Sequence, residues 1–255
     1  MKTILRPVIL RFDSLPSTNT EAQRQAMQGA PEGLCVMARE QTKGRGREGR
    51  VWLSPPDAGL YFSILLRPVR LAVRAWPLLT LISALAVRDA LLDACELETD
   101  IKWPNDILVN ERKLCGILAE TIETETGRAV VIGIGINLNE SAFPPELKAV
   151  ATSVSSLTGK TPDTEALLQA LIRALGKRYE QLQAANGEAE VIREWSRRSS
   201  YAHNRLVRVT LATETLIGWT RGLEPDGALR VETEEGEIRI VRAGDVTSLR
   251  ITGDK

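Results

Sequence analysis

The chain has 255 residues, 43% hydrophobic and 26% charged, enough to bury a sizeable core in one large domain or in one with a small companion. Its 33 lysines and arginines balance 33 aspartates and glutamates, which excludes a global field for holding nucleic acid or an anionic membrane. A single histidine gives almost nothing from which to build a zinc site or a His-based triad, and three scattered cysteines suit a reducing cytoplasm rather than a disulfide framework.

Residues 1–10 hold Arg6 and Pro7 inside a short apolar run, too broken for a signal peptide, and no later stretch approaches the length of a membrane span. Residues 10–13 read as a strand, and Ser17-Thr18-Asn19-Thr20-Glu21 supplies an N-cap run for a helix to about Gln28. Residues 34–39 form a strand that leads into Lys43-Gly44-Arg45-Gly46-Arg47-Glu48-Gly49-Arg50, three glycines and four cations in eight positions. Such a segment packs no core. Glycine frees the backbone to turn its N–H groups toward a ligand, and guanidinium forks match carboxylate or phosphate oxygens, so the segment reads as an anion-binding loop. Its Gly44-x-Gly46-x-x-Gly49 spacing is not a dinucleotide fingerprint: Trp52-Leu53-Ser54-Pro55-Pro56 follows where a helix is required, and no acidic residue lies between Asp57 and Asp89. A solvated basic turn is the plainer alternative.

Residues 59–66 are the next strand, and Pro77 opens a long helix to about Cys95 whose apolar positions are too many for one stripe, which makes it central to the core. Lys102-Trp103-Pro104-Asn105-Asp106 is a turn running into an apolar strand, and residues 113–120 are the returning strand, with Lys113 at the mouth of the hairpin. In the apolar strand at 130–139, glycines permit close approach of a ligand, and Asn137 and Asn139 suit a base edge or a backbone. Thr161-Pro162 caps a helix to about Ala185, and Gly187 starts another ending near Ser200. Short alternating runs follow at 207–211, 216–221, 229–233, 238–242 and 246–251, with turns at Asp226-Gly227 and Glu235-Gly236 and the spacing of a small β-barrel. The boundary falls near His203-Asn204, dividing the chain into 1–203 and 204–255.

Taken singly, each motif has a structural reading at least as good: an exposed hairpin lysine, a packing glycine, an Asx-turn. Together and in this order, Ser17-Thr18-Asn19, then Gln41 with the Gly44–Arg50 loop and Trp52, then Lys102-Trp103-Pro104-Asn105-Asp106, Lys113-Leu114-Cys115-Gly116 and Gly133-Ile134-Gly135-Ile136-Asn137 resemble the biotin protein ligases. The match runs from about residue 10 to about residue 140. It implies an α/β (α+β) fold, with a mixed-sheet biotin/lipoate ligase-like catalytic domain followed by an SH3-like β-barrel. The monofunctional type is expected, because the Ser-Thr-Asn run at residue 17 leaves no room ahead of it for a helix-turn-helix repressor domain. The implied reaction joins biotin and ATP, with Mg²⁺, into biotinyl-5′-AMP, then transfers biotin to a lysine of a biotin carboxyl carrier protein.

The resemblance also implies roles. Ser17, Thr18, Asn19 and Gln41 look like partners of the biotin ureido ring, helped by Gly116, with Gly46 also on the biotin side. Arg45 and Arg47 look like loop cations folding over the carboxylate and the adenylate phosphate. Lys113 would bridge carboxylate and α-phosphate, so Lys113 and Arg47 are the catalytic candidates. Trp52, Asn105, Asp106 and Asn137 fall on the nucleotide or Mg²⁺ side. Lipoate protein ligases are the nearest rival, but carry an Arg-Arg-x-x-Gly-Gly-Gly type loop instead. A nucleic-acid-binding module is disfavoured by zero formal net charge and 4% aromatic content, so no DNA partner is expected. Some family members form homodimers by pairing sheet edges, and this chain is a possible homodimer.

Overall fold

In the computed structural model, residues 7–140, 143–211 and 213–249 are described. Seven strands build the first sheet: β1 (Val8–Leu15), β2 (Leu34–Gln41), β3 (Gly59–Leu66), β4 (Asp100–Lys102), β5 (Asp106–Val109), β6 (Arg112–Thr124) and β7 (Gly127–Asn137). Their order is β1-β2-β3-β7-β6-β5-β4, antiparallel throughout except for the parallel pair β1 and β2. That pair needs a crossover, and α1 (Thr18–Met27) supplies it.

Strand β7 shows why the two faces of the sheet differ. Val130, Ile132, Ile134 and Ile136 point into the main core, where α2 (Leu78–Cys95) packs against α4 (Thr164–Leu182). The alternate positions face α1: Ala129 and Val131 join a smaller apolar cluster with Ala22 and Ala26 of that helix, and only the following Gly133, Gly135 and Asn137 are small or polar. Helix α2 buries Leu78, Leu79, Leu81, Ile82, Leu85 and Leu91 around more than one side, as its composition predicts.

After α3 (Val154–Thr158), α4 and α5 (Gly187–Arg198), five short strands follow: β8 (His203–Thr210), β9 (Thr215–Leu223), β10 (Leu229–Glu232), β11 (Ile238–Val241) and β12 (Asp245–Ser248). They form a separate antiparallel sheet in the order β11-β10-β9-β8-β12. Its inner residues Val207, Val209, Leu229 and Val231 belong to the same apolar cluster as α2. The Trp103 indole N–H donates to the Gly227 carbonyl at 2.9 Å, fastening the turn at 226–227 to the larger sheet.

Some boundaries move for local reasons. Helix α4 is capped by Asp163, whose carboxylate accepts from the N–H groups of Glu165 and Ala166, not by Thr161-Pro162, and it ends at Leu182. Strand β6 runs past the expected 113–120 to Thr124 and β7 begins at Gly127, so the two meet in a tight turn at 125–126, while β7 ends at Asn137, two residues short of the expected 139. Residues 250 and 251 of the expected last strand lie outside the described residues, as do residues 1–6. No helix among the described residues is long and apolar enough to cross a membrane.

Candidate active site

The α1 face of the larger sheet carries a cleft of about 500 Å³. It is lined by Ser17, Thr18, Asn19, Gln41, Arg45, Gly46, Arg47, Trp52, Asn105, Asp106, Lys113, Gly116 and Asn137, so the residues singled out in the sequence converge on one place.

One end is built from neutral hydrogen-bonding groups. Gln41 Oε1 accepts from the Thr18 backbone N–H at 2.8 Å and from the Thr18 hydroxyl at 3.1 Å, while its Nε2 donates to Ser54 Oγ at 2.8 Å. The fully buried Ser63 hydroxyl lies 2.7 Å from Thr18 Oγ1 and donates to Asn19 Oδ1 at 2.6 Å. Asn19 Nδ2 donates to the Leu118 carbonyl at 3.2 Å and to Glu120 Oε2 at 2.7 Å. The side chains at the start of α1 thus turn into the cleft, and Ser17 makes no side-chain capping bond. Asn19 is admitted because position 133 is glycine: a Cβ there would lie 2.2 Å from Asn19 Oδ1.

Fixed charge defines the other end. Lys113 Nζ stands 2.6 Å from Asp106 Oδ1 and 5.4 Å from the centroid of the Trp52 ring. Lys102 Nζ reaches Asp106 Oδ2 at 3.3 Å. Two ammonium groups sharing one carboxylate leave a net positive charge, suited to an anion. The chain turns at Asn110 and Glu111, both with positive φ, and this tight hairpin sets Lys113 opposite Leu108.

Trp52 lies across a glycine floor. Gly116 and Gly135 are register partners on β6 and β7, and a Cβ at either would come within 3.0 or 2.5 Å of the indole. The Trp52 N–H is buried and, among the described residues, has no hydrogen-bond partner, an arrangement that a ligand acceptor would relieve. Asn105 Nδ2 donates to the Ile117 carbonyl at 2.8 Å, leaving its Oδ1 to accept from Arg47 at 3.2 Å. Asn137 directs its amide to the Thr152 carbonyl at 3.0 Å and the Lys113 carbonyl at 3.3 Å. Its donors therefore brace the segment behind Lys113. Neighbouring Cys115 is enclosed, and burial pushes its thiol well above the ordinary range, so it supplies no thiolate at neutral pH.

The two loop arginines part company. Arg45 is bidentate on Glu120, both contacts at 2.8 Å. Arg47 reaches Asn105 and, at 3.4 Å, the Gly244 carbonyl, whereas Arg50 pairs with Asp245. The C-terminal sheet therefore borders the cleft.

Several contributors are absent from the motif reading. Ser63 had a signal, as the one serine inside the apolar stretch at 59–66, where a buried polar group needs a partner. Glu120 also had one, since every second residue from Gly116 lies on the same face of β6. Asp245 and the wall residues Phe143, Leu147 and Val150 come from distant or irregular segments and had none.

A family model for the Biotin/lipoate A/B protein ligase family matches residues 11–137, and one for the Biotin protein ligase C terminal domain matches residues 202–247. The chain is 39% identical over 240 residues to the bifunctional ligase/repressor of Bacillus subtilis, covering 92% of this chain and 72% of that protein. It is 36% identical over 239 residues to the biotin acetyl-CoA-carboxylase ligase of Mycobacterium tuberculosis, covering 92% and 86%. The fold matches a biotin protein ligase from Aquifex aeolicus, solved in complex with biotin and ATP, with a TM-score of 0.81 at 30% identity over 95% and 98% of the two chains.

Proposed function

The chain belongs to the biotin protein ligase family, and on that premise we propose that it condenses biotin with ATP to biotinyl-5′-AMP and pyrophosphate. It then transfers biotin to a lysine of a carboxylase's biotin carboxyl carrier protein. The single observation that supports this reading best is one cleft joining a neutral hydrogen-bonding end to a cationic end. A ureido ring carries one carbonyl and two N–H groups, which the Thr18, Asn19 and Gln41 cluster complements. A carboxylate and an α-phosphate bring negative oxygens to the place where Lys113 and Arg47 supply positive charge.

A carboxylate is a poor acyl electrophile, and the mixed anhydride with AMP corrects that. The carboxylate oxygen attacks the α-phosphorus, pyrophosphate leaves, and Lys113, braced between Trp52 and Asp106, bears the growing charge. In the second step the carrier's lysine amine attacks the acyl carbon, the amide forms, and AMP departs with the electron pair of the broken anhydride bond. No covalent enzyme intermediate is needed. Trp52, Asn105 and Asn137 border the nucleotide half. Asp106 is shared by two lysines, and no group of three or more His, Cys, Asp or Glu gathers among the described residues. Mg²⁺, bound with ATP, would neutralise its phosphates. Residues 1–203 carry this chemistry, with 204–255 as the accessory domain, in the cytoplasm.

Biotin-dependent exchange of radiolabelled pyrophosphate into ATP tests the first step, and streptavidin detection of a carrier domain tests the second. Exchange that lipoate supports and biotin does not would overturn the assignment in favour of the lipoate branch.

A further inference from the structure

Glu120 belongs to none of the motifs and does not line the cleft, yet it joins two of the cleft's walls. Its carboxylate takes both terminal nitrogens of Arg45 at 2.8 Å, and Oε2 also accepts from Asn19 Nδ2 at 2.7 Å. From Asn19 the hydrogen-bond path runs through Ser63 and Thr18 to Gln41. Gln41 and Arg45 are four residues apart on one strand-to-loop segment, so the circuit closes on itself. Most of it is enclosed: Thr18 and Asn19 are 3% exposed and Ser63 is fully buried. Glu120 is the circuit's only anion, and it neutralises a loop arginine that would otherwise be free to meet a substrate anion.

We propose that Glu120 is a positioning residue for adenylation. By holding Arg45 and Asn19 together, it presents the loop backbone at Gly44 to Gly46 and the start of α1 as one pre-formed wall for the uncharged end of the acid substrate. Arg45 on this account is a structural cation, and Arg47 and Lys113 carry the charge that meets substrate. The proposal rests on the reading of the cleft as a biotin and ATP site.

The test is pyrophosphate exchange with the full chain, measuring KM for biotin and for ATP separately, on the parent, Glu120→Gln, Arg45→Gln and the double variant. Loss of a charge-assisted contact predicts that each single change raises KM for biotin about tenfold while KM for ATP stays within about twofold. Because both changes break one unit, the double variant should be no worse than the poorer single one. Multiplying effects, an Arg45→Gln defect confined to KM for ATP, or a uniform loss in kcat and both KM values would overturn the proposal. If Glu120→Gln does not fold, Glu120→Asp, one methylene shorter with its charge kept, is judged by the same criteria. A parent without biotin-dependent exchange removes the functional reading itself, and the proposal with it.

Discussion

At the residue scale, Lys113 and Arg47 make separable contributions. Lys113 is held by Asp106 on one side and the Trp52 ring on the other, so its ammonium is pre-placed and little reorganisation accompanies charge growth in the transition state. Lys113→Gln keeps a hydrogen-bonding group, one atom shorter, but removes the charge. Single-turnover adenylate formation should slow by about 2–4 kcal/mol of barrier, the loss typical of one electrostatic contact. An unchanged rate would make Lys113 an ordinary hairpin lysine. Arg47 is held more loosely, by an amide oxygen and a carbonyl at 3.2 and 3.4 Å and a distant Glu48 carboxylate at 3.9 Å, which suits a latch that exchanges partners when the adenylate forms. Arg47→Gly should therefore weaken retention of the mixed anhydride more than its synthesis, and the escaping anhydride will acylate exposed lysines. Streptavidin blots of reactions containing serum albumin, matched for adenylate formed, should show bystander labelling by the variant and selective labelling by the parent. Equal bystander labelling would reassign the loop.

At the scale of elements, β7 sorts ligand contacts by alternation. Gly133 admits Asn19 and Gly135 admits Trp52, while Ile132, Ile134 and Ile136 fill the core behind them. An added methyl at either glycine must displace its neighbour, so the two substitutions should separate the two substrates. Gly133→Ala, which drives Cβ to 2.2 Å from Asn19 Oδ1, should raise KM for biotin; Gly135→Ala, at 2.5 Å from Trp52 Nε1, should raise KM for ATP. Both variants moving the same constant would show that the floor is not divided. This alternation was legible in the sequence, because Ile-Gly-Ile-Gly-Ile-Asn is itself a period-two pattern. So were the glycine loop, the hairpin lysine and the buried helix at Leu78–Cys95, each fixed by local chemistry. The pairing of Arg45 with Glu120 was not, since a loop arginine reads as free until the strand opposite is known. Nor was the cap of α4, where Asp163 outcompetes the nearby Thr161 by accepting two backbone N–H groups.

At the scale of the whole molecule, the two sheets meet at the cleft. Deleting residues 204–255 is a blunt probe of that meeting, because Val207, Val209, Leu229 and Val231 share a core with α2, and their loss would expose it. A point change at the border is sharper. Asp245 pairs with Arg50, and the adjacent Gly244 carbonyl accepts from Arg47, so the C-terminal sheet grips the glycine loop on its cationic side. The groups assigned here to the uncharged ring of biotin, Thr18, Asn19 and Gln41, sit at the opposite end of the cleft. Asp245→Ala should therefore raise KM for ATP and hasten loss of biotinyl-AMP while leaving KM for biotin unchanged. Side-chain exposure of 53% for Arg50 and 41% for Asp245 makes the ion pair itself worth little, about 0–1 kcal/mol, so the melting temperature should scarcely move. Pyrophosphate exchange, filter retention of labelled adenylate and a thermal melt on the same preparation decide the matter. A parallel rise in KM for both substrates, or a large fall in melting temperature, would mean that the C-terminal sheet supports the fold as a whole and does not act on the loop.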